Sequence, residues 1–114
     1  MSDIWIAYLI TFGWAIVGSV SMAIGIVIAF NELHHSGRDA VKIKPNCDDS
    51  LIANNSIHHT GRRDDSNAEG IDNVNGDRMT VLDNHIYDIA TTGLYFKGGA
   101  SDVRVERNLI ERVG

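Results

Sequence analysis

The chain has 114 residues, a formal net charge of −5 at pH 7, one cysteine and one proline. This length allows one domain with a small appendage. The single cysteine excludes an internal disulfide framework and a thiol-based zinc knuckle. The slightly acidic balance argues against nucleic acid as a partner, because binding to phosphates needs a basic surface. Asp3 is the only charged residue before Glu32, so we predict two parts that meet near residue 30.

The amino-terminal part is a long uncharged segment. Residues 4–30 carry no charge, and about 20 apolar residues in a helix cross a bilayer. We therefore predict that residues 1–30 form a membrane-anchor helix and that the rest of the chain lies outside the cytoplasm. The acidic start disfavours a signal peptide, but small residues at 21–23 keep cleavage and secretion as the alternative. Small residues on one helical face would favour self-association in lipid; they are Thr11, Ala15, Gly18, Met22, Gly25 and Ala29.

A phrase of about seven residues returns four times after this segment. A fixed period of such length is the signature of a stacked solenoid, because one unit cannot bury its apolar face without neighbours. The middle step is longer because of the polar run 62–67, which we expect to form a solvated loop. The phrases begin at Asn31, Asn55, Asn84 and Asn108, in steps of 24, 29 and 24 residues.

Two further short runs in each repeat alternate apolar and polar residues, which is the pattern of half-buried strands. With the apolar residue inside each phrase they predict three strands per turn. A coil of that kind is a parallel β-helix, in which equivalent residues stack about 4.8 Å apart. The first set of runs is 41–43, 71–73 and 94–96, with Val41, Ile71 and Leu94 as one interior column, and the second is 50–52, 79–81 and 103–105, with Ile52, Val81 and Val105 as another.

The four asparagines are predicted to stack at one bend of the coil. An inward amide there can bond its own backbone and the amide of the next turn, and asparagine tolerates the left-handed conformation that such corners need. Residues 26–30 also fit the strand that precedes each asparagine, with Ile28 in the place of Ile52. The coil would then begin before residue 31, and the membrane span would shrink to 4–25, which is still long enough to cross.

The Asn-x-Ile and Gly-Ile-x-x repeats of residues 31–114 resemble those of the right-handed parallel β-helix superfamily, the pectate-lyase-like fold. The resemblance implies an all-β solenoid, a single-stranded right-handed parallel β-helix of about three to four turns, here preceded by one hydrophobic α-helix. The superfamily includes polysaccharide lyases, glycoside hydrolases, epimerases, phage tailspikes and inert surface proteins, so the fold does not decide the activity. Whether the chain is an enzyme stays open; an enzyme would be a polysaccharide lyase or a glycoside hydrolase.

In such a coil the outward residues of the first strand set form a groove across the turns. The columns of this groove are Lys42, Asp72 and Tyr95, and Lys44, Val74 and Lys97. The lysines would meet the carboxylates of an anionic sugar polymer, and the ring would pack on a sugar face. A solvated strand face without a ligand is the alternative, because Lys and Asp are common on such faces.

No residue of the sequence is assigned as catalytic. Asp48-Asp49 and the stretch 69–72 resemble acidic motifs of the polygalacturonase-type hydrolases, which need two carboxyl groups across the scissile bond. The glycine-histidine motif of those hydrolases is absent from the chain. For a lyase the resemblance implies a basic residue and calcium, and Asp72 with Lys42 is the one local pairing. We therefore predict no cofactor, with calcium as the alternative.

His34-His35 and His58-His59 occupy the same phase of adjacent turns, so four imidazoles are expected to lie close together. Zinc prefers imidazole nitrogen, and four histidines can satisfy a tetrahedral site. The next turns carry Tyr87-Asp88 and Glu111-Arg112 at this phase. We therefore interpret the column as stacked, partly exposed histidines without a metal, with a zinc site as the alternative.

These patterns predict a membrane-anchored or exported β-helix that binds or processes an anionic polysaccharide. One alternative is a structural, adhesive or self-assembling surface module. Another is a piece of a larger β-helix, since the repeats stop at Gly114 without a capping element. Open terminal turns expose unpaired strand edges, so we also expect self-association through the ends of the coil.

Overall fold

The computed structural model describes residues 25–114. This part of the chain forms eleven β-strands of three to five residues and contains no helix. The strands are short because polar corner segments interrupt the apolar alternation every few residues. In chain order they are β1 (Val27–Ala29), β2 (Glu32–His34), β3 (Val41–Ile43), β4 (Leu51–Ala53), β5 (Ser56–His58), β6 (Ile71–Val74), β7 (Thr80–Leu82), β8 (His85–Ile89), β9 (Leu94–Lys97), β10 (Arg104–Glu106) and β11 (Leu109–Val113).

The strands build three sheets. Sheet 1 has the order β1-β4-β7-β10, sheet 2 the order β11-β8-β5-β2, and sheet 3 the order β3-β6-β9. Each strand pairs in parallel with the equivalent strand of the neighbouring turn. Every complete turn therefore supplies one strand to each sheet, and the predicted all-β solenoid with three strands per turn is confirmed.

Each sheet contributes a column of stacked apolar side chains to the interior. The strands of sheet 1 begin one residue later than predicted, but the predicted register of their inward residues is correct. Val105 is 44% exposed, because within the described residues no further turn packs on it. The columns are Ile28, Ile52, Val81 and Val105; Leu33, Ile57, Ile86 and Ile110; and Val41, Ile71 and Leu94.

The coil begins before the predicted boundary at residue 31. Strand β1 pairs with β4 and sets Ile28 beside Ile52, and the Gly25 amide donates a hydrogen bond to the Asp49 carbonyl at 2.8 Å. Gly25 and Ala29 therefore belong to the coil and not to a helical stripe. The rest of the predicted membrane helix, residues 4–24, lies outside the described residues. Among residues 25–114, no helix is long and apolar enough to cross a membrane.

The four repeated asparagines form a hydrogen-bonded ladder between sheets 1 and 2. The Asn84 side-chain oxygen accepts from the backbone and side-chain nitrogens of Asn55, at 2.9 and 3.0 Å. The Asn84 side-chain nitrogen donates to the Ile52 carbonyl and to Asn108 Oδ1, at 3.0 and 2.9 Å. The left-handed conformation falls on the residue before each asparagine, namely Phe30, Asn54, Asp83 and Arg107. The ladder asparagines thus act through the hydrogen bonds of their side-chain amides. The prediction that they adopt the left-handed conformation themselves is wrong.

Candidate functional site

The outer face of sheet 3 carries the candidate site. Strands β3, β6 and β9 place Lys42, Asp72 and Tyr95 in one register column, as the alternation of the sequence predicts. Glycine precedes the strand in two of the turns, because a Cβ on Gly70 would lie 2.6 Å from the Gly93 carbonyl oxygen. This close approach brings the segments that lead into β6 and β9 together, and with them the polar side chains they carry.

Asp72 is the centre of the site. Its side chain is fully buried, and its Oδ2 atom lies 2.7 Å from Lys42 Nζ and 3.3 Å from Lys97 Nζ. The hydrogen bond to Asp72 is the main reason why the pKa of Lys42 is raised, so this lysine stays charged. Asp72 Oδ1 is also buried and has no hydrogen-bond partner among the described residues. A buried carboxylate oxygen without a partner is costly.

Two further carboxyl groups adjoin Asp72. Oxygen atoms of Asp39, Glu69 and Asp72 all lie within 4.8 Å of one another. The Glu69 backbone amide donates to Asp39 Oδ1 at 2.8 Å, and the Thr91 hydroxyl donates to Glu69 Oε2 at 3.3 Å. Sequence reasoning missed Asp39, although it stands two residues before β3 just as Glu69 stands two residues before β6. That shared phase was the signal that could have identified it.

Glu69 holds its proton more tightly than an ordinary glutamate. Burial raises the pKa of Glu69, and the hydrogen bond and charge of Asp39 raise it further. A protonated carboxyl beside a carboxylate is the usual outcome when two acids share a buried site.

The raised pKa of Glu69 predicts a pH dependence of stability. The contribution of Glu69 to the free energy of unfolding is fully present below its ordinary pKa of 4.5. It is lost as pH rises through the folded-state pKa. We expect the stability advantage of the wild type over Glu69→Gln, measured by urea unfolding, to fall as pH rises above about 4.5. Asp83→Asn is the control with the opposite sign, because the Arg107 hydrogen bond lowers the pKa of Asp83. An advantage over Glu69→Gln that grows with pH would contradict this prediction.

Tyr95 and Lys97 form the exposed side of the site. The Lys97 ammonium lies 4.8 Å from the centre of the Tyr95 ring, and Tyr95 is 42% exposed. Lys97 stands beside Val74 in the register and reaches diagonally to Asp72. Lys44 follows the end of β3, is exposed, and forms none of the ion pairs of Asp72 within the described residues. The structure thus brings Lys42, Asp72, Tyr95 and Lys97 together and leaves Lys44 outside.

Asp48 and Asp49 lie at a different place and hold a corner of the coil. Asp48 Oδ1 accepts from the Asp77 backbone amide at 2.9 Å, and Asp49 pairs with Arg78 at 2.8 Å. The hydrogen bond from Arg78 lowers the pKa of Asp49. Left-handed corners elsewhere in the described chain carry the same kind of pair, Asp83 with Arg107 and Asp88 with Arg112. These two aspartates therefore stabilise a corner of the coil.

The four histidines occupy the corner after sheet 2. His34 stacks on His58 and His35 on His59, with ring centres 5.1 and 4.9 Å apart. The interpretation of stacked, partly exposed histidines agrees with this arrangement. His58 is buried, His59 is half-buried, and His34 and His35 are exposed. This corner and the Asp72 site lie on different sheets.

A comparison with protein families gave a match to the family described as a right-handed β-helix region. The match covers residues 15–114, which includes all the described strands and begins before β1. Neither the curated proteins nor the solved structures gave a match.

Proposed function

Because the chain belongs to the right-handed β-helix family, we propose that the outer face of sheet 3 binds an anionic polysaccharide. The observation that carries this proposal is the fully buried carboxylate of Asp72 between two lysines. One carboxylate oxygen holds both ammonium groups, so their positions are set before a ligand arrives. Preorganised charges lose less conformational entropy on binding than free lysines do.

The two lysines supply the charge for an acidic sugar. Each ammonium group has three donors. Lys42 donates to Asp72 Oδ2 at 2.7 Å, and Lys97 forms an ion pair with the same oxygen at 3.3 Å. Both side chains remain more than one third exposed, 37% for Lys42 and 36% for Lys97. Lys42 Nζ also lies 3.7 Å from Asp39 Oδ2. The exposed parts of the two lysines suit the carboxylate of a uronic acid. Charge-assisted hydrogen bonds of this kind are stronger than neutral ones.

Tyr95 supplies a flat surface beside these charges. An exposed aromatic ring offers an apolar face for the C–H side of a sugar and a hydroxyl for its polar edge. The ammonium group of Lys97 above the ring keeps the tyrosine oriented through a cation–π contact. Successive turns of a β-helix repeat along its axis, so a linear polymer can lie across the strands of sheet 3.

The carboxyl groups below this face are closer together than glycoside hydrolysis needs. That reaction uses two carboxyl groups about 5–9.5 Å apart across the scissile bond, whereas oxygen atoms of Glu69 and Asp39 lie within 4.8 Å of each other. We propose binding as the function and treat turnover as a separate measurement. In the same proposal the uncharged residues 4–24 anchor the coil at a membrane or direct its export.

Binding of polygalacturonate fragments by the full chain, measured by calorimetry, tests this function. We expect Tyr95→Ala and Lys97→Ala each to weaken binding by about tenfold, which corresponds to about 1.4 kcal/mol. Arg107→Ala is the control, since it removes a cation at the corner between sheets 1 and 2. Ultraviolet absorbance and reducing-end assays on the same samples report lyase or hydrolase turnover. Equal binding by the wild type and both site variants would contradict the proposal.

A self-assembling structural module is the second candidate function. Four apolar side chains of β10 and β11 are exposed, Val105, Leu109, Ile110 and Val113. Both strands stand at the edge of their sheets in the described part of the chain. Such an edge can pair with a second copy. Absence of sugar binding, together with higher oligomers in sedimentation, would favour this function over the first.

A further inference from the structure

Pairs of histidine nitrogens face each other at the corner after sheet 2. His34 Nδ1 lies 2.9 Å from His35 Nδ1, and His58 Nδ1 lies 2.7 Å from His59 Nδ1. Successive side chains of a strand normally point to opposite faces. The left-handed conformation of His35 and His59, with φ of 56° and 57°, turns the second ring of each pair toward the first. Two turns stacked in register then place four imidazoles around one small space.

The carboxylate of Glu32 indicates which ring nitrogen of His58 is free to bind a metal. His58 Nε2 lies 2.8 Å from Glu32 Oε2, so the proton sits on Nε2 and the lone pair of Nδ1 points into the cluster. His59 Nε2 lies 4.0 Å from Asp88 Oδ2, which is too long for a hydrogen bond, and Asp88 pairs with Arg112. Metal-binding histidines commonly donate their other ring N–H to a carboxylate in the way that His58 does.

We propose that His35, His58 and His59 form a zinc-binding site, with His34 or water as the fourth ligand. One ring nitrogen of each of these three residues lies within 4.8 Å of the others. Nitrogens bound to one zinc ion at about 2.1 Å are about 3.4 Å apart. The exposed ring of His35 can make this adjustment by side-chain rotation, while the buried His58 stays in place.

The groups around the cluster decide how readily it takes up a cation, because a neutral imidazole is the form that binds metal. The Tyr87 ring stacks on His58 at 4.7 Å and closes the side of the next turn. Arg62 acts on His35 as a nearby positive charge, and Glu32, whose carboxylate lies 2.8 Å from His58 Nε2, supplies a negative charge.

Zinc titration of the full chain tests this site, using protein purified without a polyhistidine tag and stripped by a chelator. Calorimetry should show about one zinc ion per chain, and His58→Gln should weaken zinc binding by at least about tenfold. His85→Gln is the matched control. His85 lies one turn further along sheet 2 and also pairs with a glutamate, Glu111 at 2.7 Å, but it lies outside the cluster.

Glu32→Gln keeps the test independent of folding. The Glu32 side chain is 61% exposed, so its replacement by an isosteric amide leaves the coil intact, which far-ultraviolet circular dichroism can check. We expect this variant to weaken zinc binding by about tenfold, because the carboxylate orients His58. Equal zinc affinities for the wild type and His58→Gln, or for the wild type and Glu32→Gln, would overturn the proposal. So would wild-type protein that binds no zinc at micromolar concentration.

Discussion

Asn84→Ala is expected to lower the free energy of unfolding by about 2–5 kcal/mol, at a cost of about 1–3 kcal/mol for each buried group left unpaired. The side chain is 2% exposed and bridges three turns. Its loss leaves the Asn55 backbone amide and the Ile52 carbonyl without this partner in an interior that water does not reach. Urea unfolding of the full chain in detergent, followed by circular dichroism, measures this change as a shift in midpoint.

Asn31→Ala is the matched control for the asparagine ladder. Asn31 stands at the exposed end of the same column, and its side-chain nitrogen donates one hydrogen bond, to the Ala29 carbonyl at 3.0 Å. We expect its loss to cost less than about 1 kcal/mol, because solvent can replace the partner. Equal costs at the two positions would mean that the interior amide network contributes nothing beyond an exposed hydrogen bond.

Ile86→Ala is expected to lower the free energy of unfolding by about 2–5 kcal/mol, the usual range for truncating a buried isoleucine. Ile86 is fully buried between Ile57 and Ile110 in the column of sheet 2. Close packing on both sides prevents the neighbouring turns from collapsing into the cavity, because the backbone hydrogen bonds between turns hold their spacing. The same urea unfolding experiment measures the effect.

Ile110→Ala repeats that truncation at the exposed end of the column. Ile110 is 39% exposed, so the substitution removes less apolar area from the interior, and we expect it to cost about 1 kcal/mol or less. The difference between the two costs separates the free energy of transferring the side chain out of water from the further cost of a cavity between two turns. A cost at Ile110 as large as at Ile86 would show that the last described turn is as closely packed as the middle of the coil.

Residue 28 shows how much the repeat alone predicts. The phase of the phrases placed Ile28 in the same position as Ile52, and the two residues are paired in the structure. This prediction worked because each turn of a solenoid faces the same environment as its neighbours, so a shared phase means a shared position. The boundary drawn at residue 31 was wrong because apolar composition does not distinguish the last residues of a membrane segment from a buried strand.

The corners were predicted less well than the strands. Local composition assigned the left-handed conformation to the ladder asparagines, whereas residues such as Asp83 and Arg107 adopt it. Aspartate visits that backbone occasionally, whereas arginine does so rarely. At these positions the stacked turns and the ion pair between Asp83 and Arg107, at 2.9 Å, accompany the unfavourable conformation. An interaction with a residue 24 positions away cannot be predicted from the local sequence.

The sequence by itself determined the coil: the ladder position of Asn84, the inward column of Ile86 and the outward column of Asp72 all follow from period and alternation, which are local patterns repeated in register. Only the tertiary structure decided what these positions can do. The burial of Asp72, its approach to Asp39 and Glu69, and the convergence of the histidine nitrogens depend on distances between turns and on corner geometry. Those quantities arise when separate turns stack, because each turn supplies only part of either cluster.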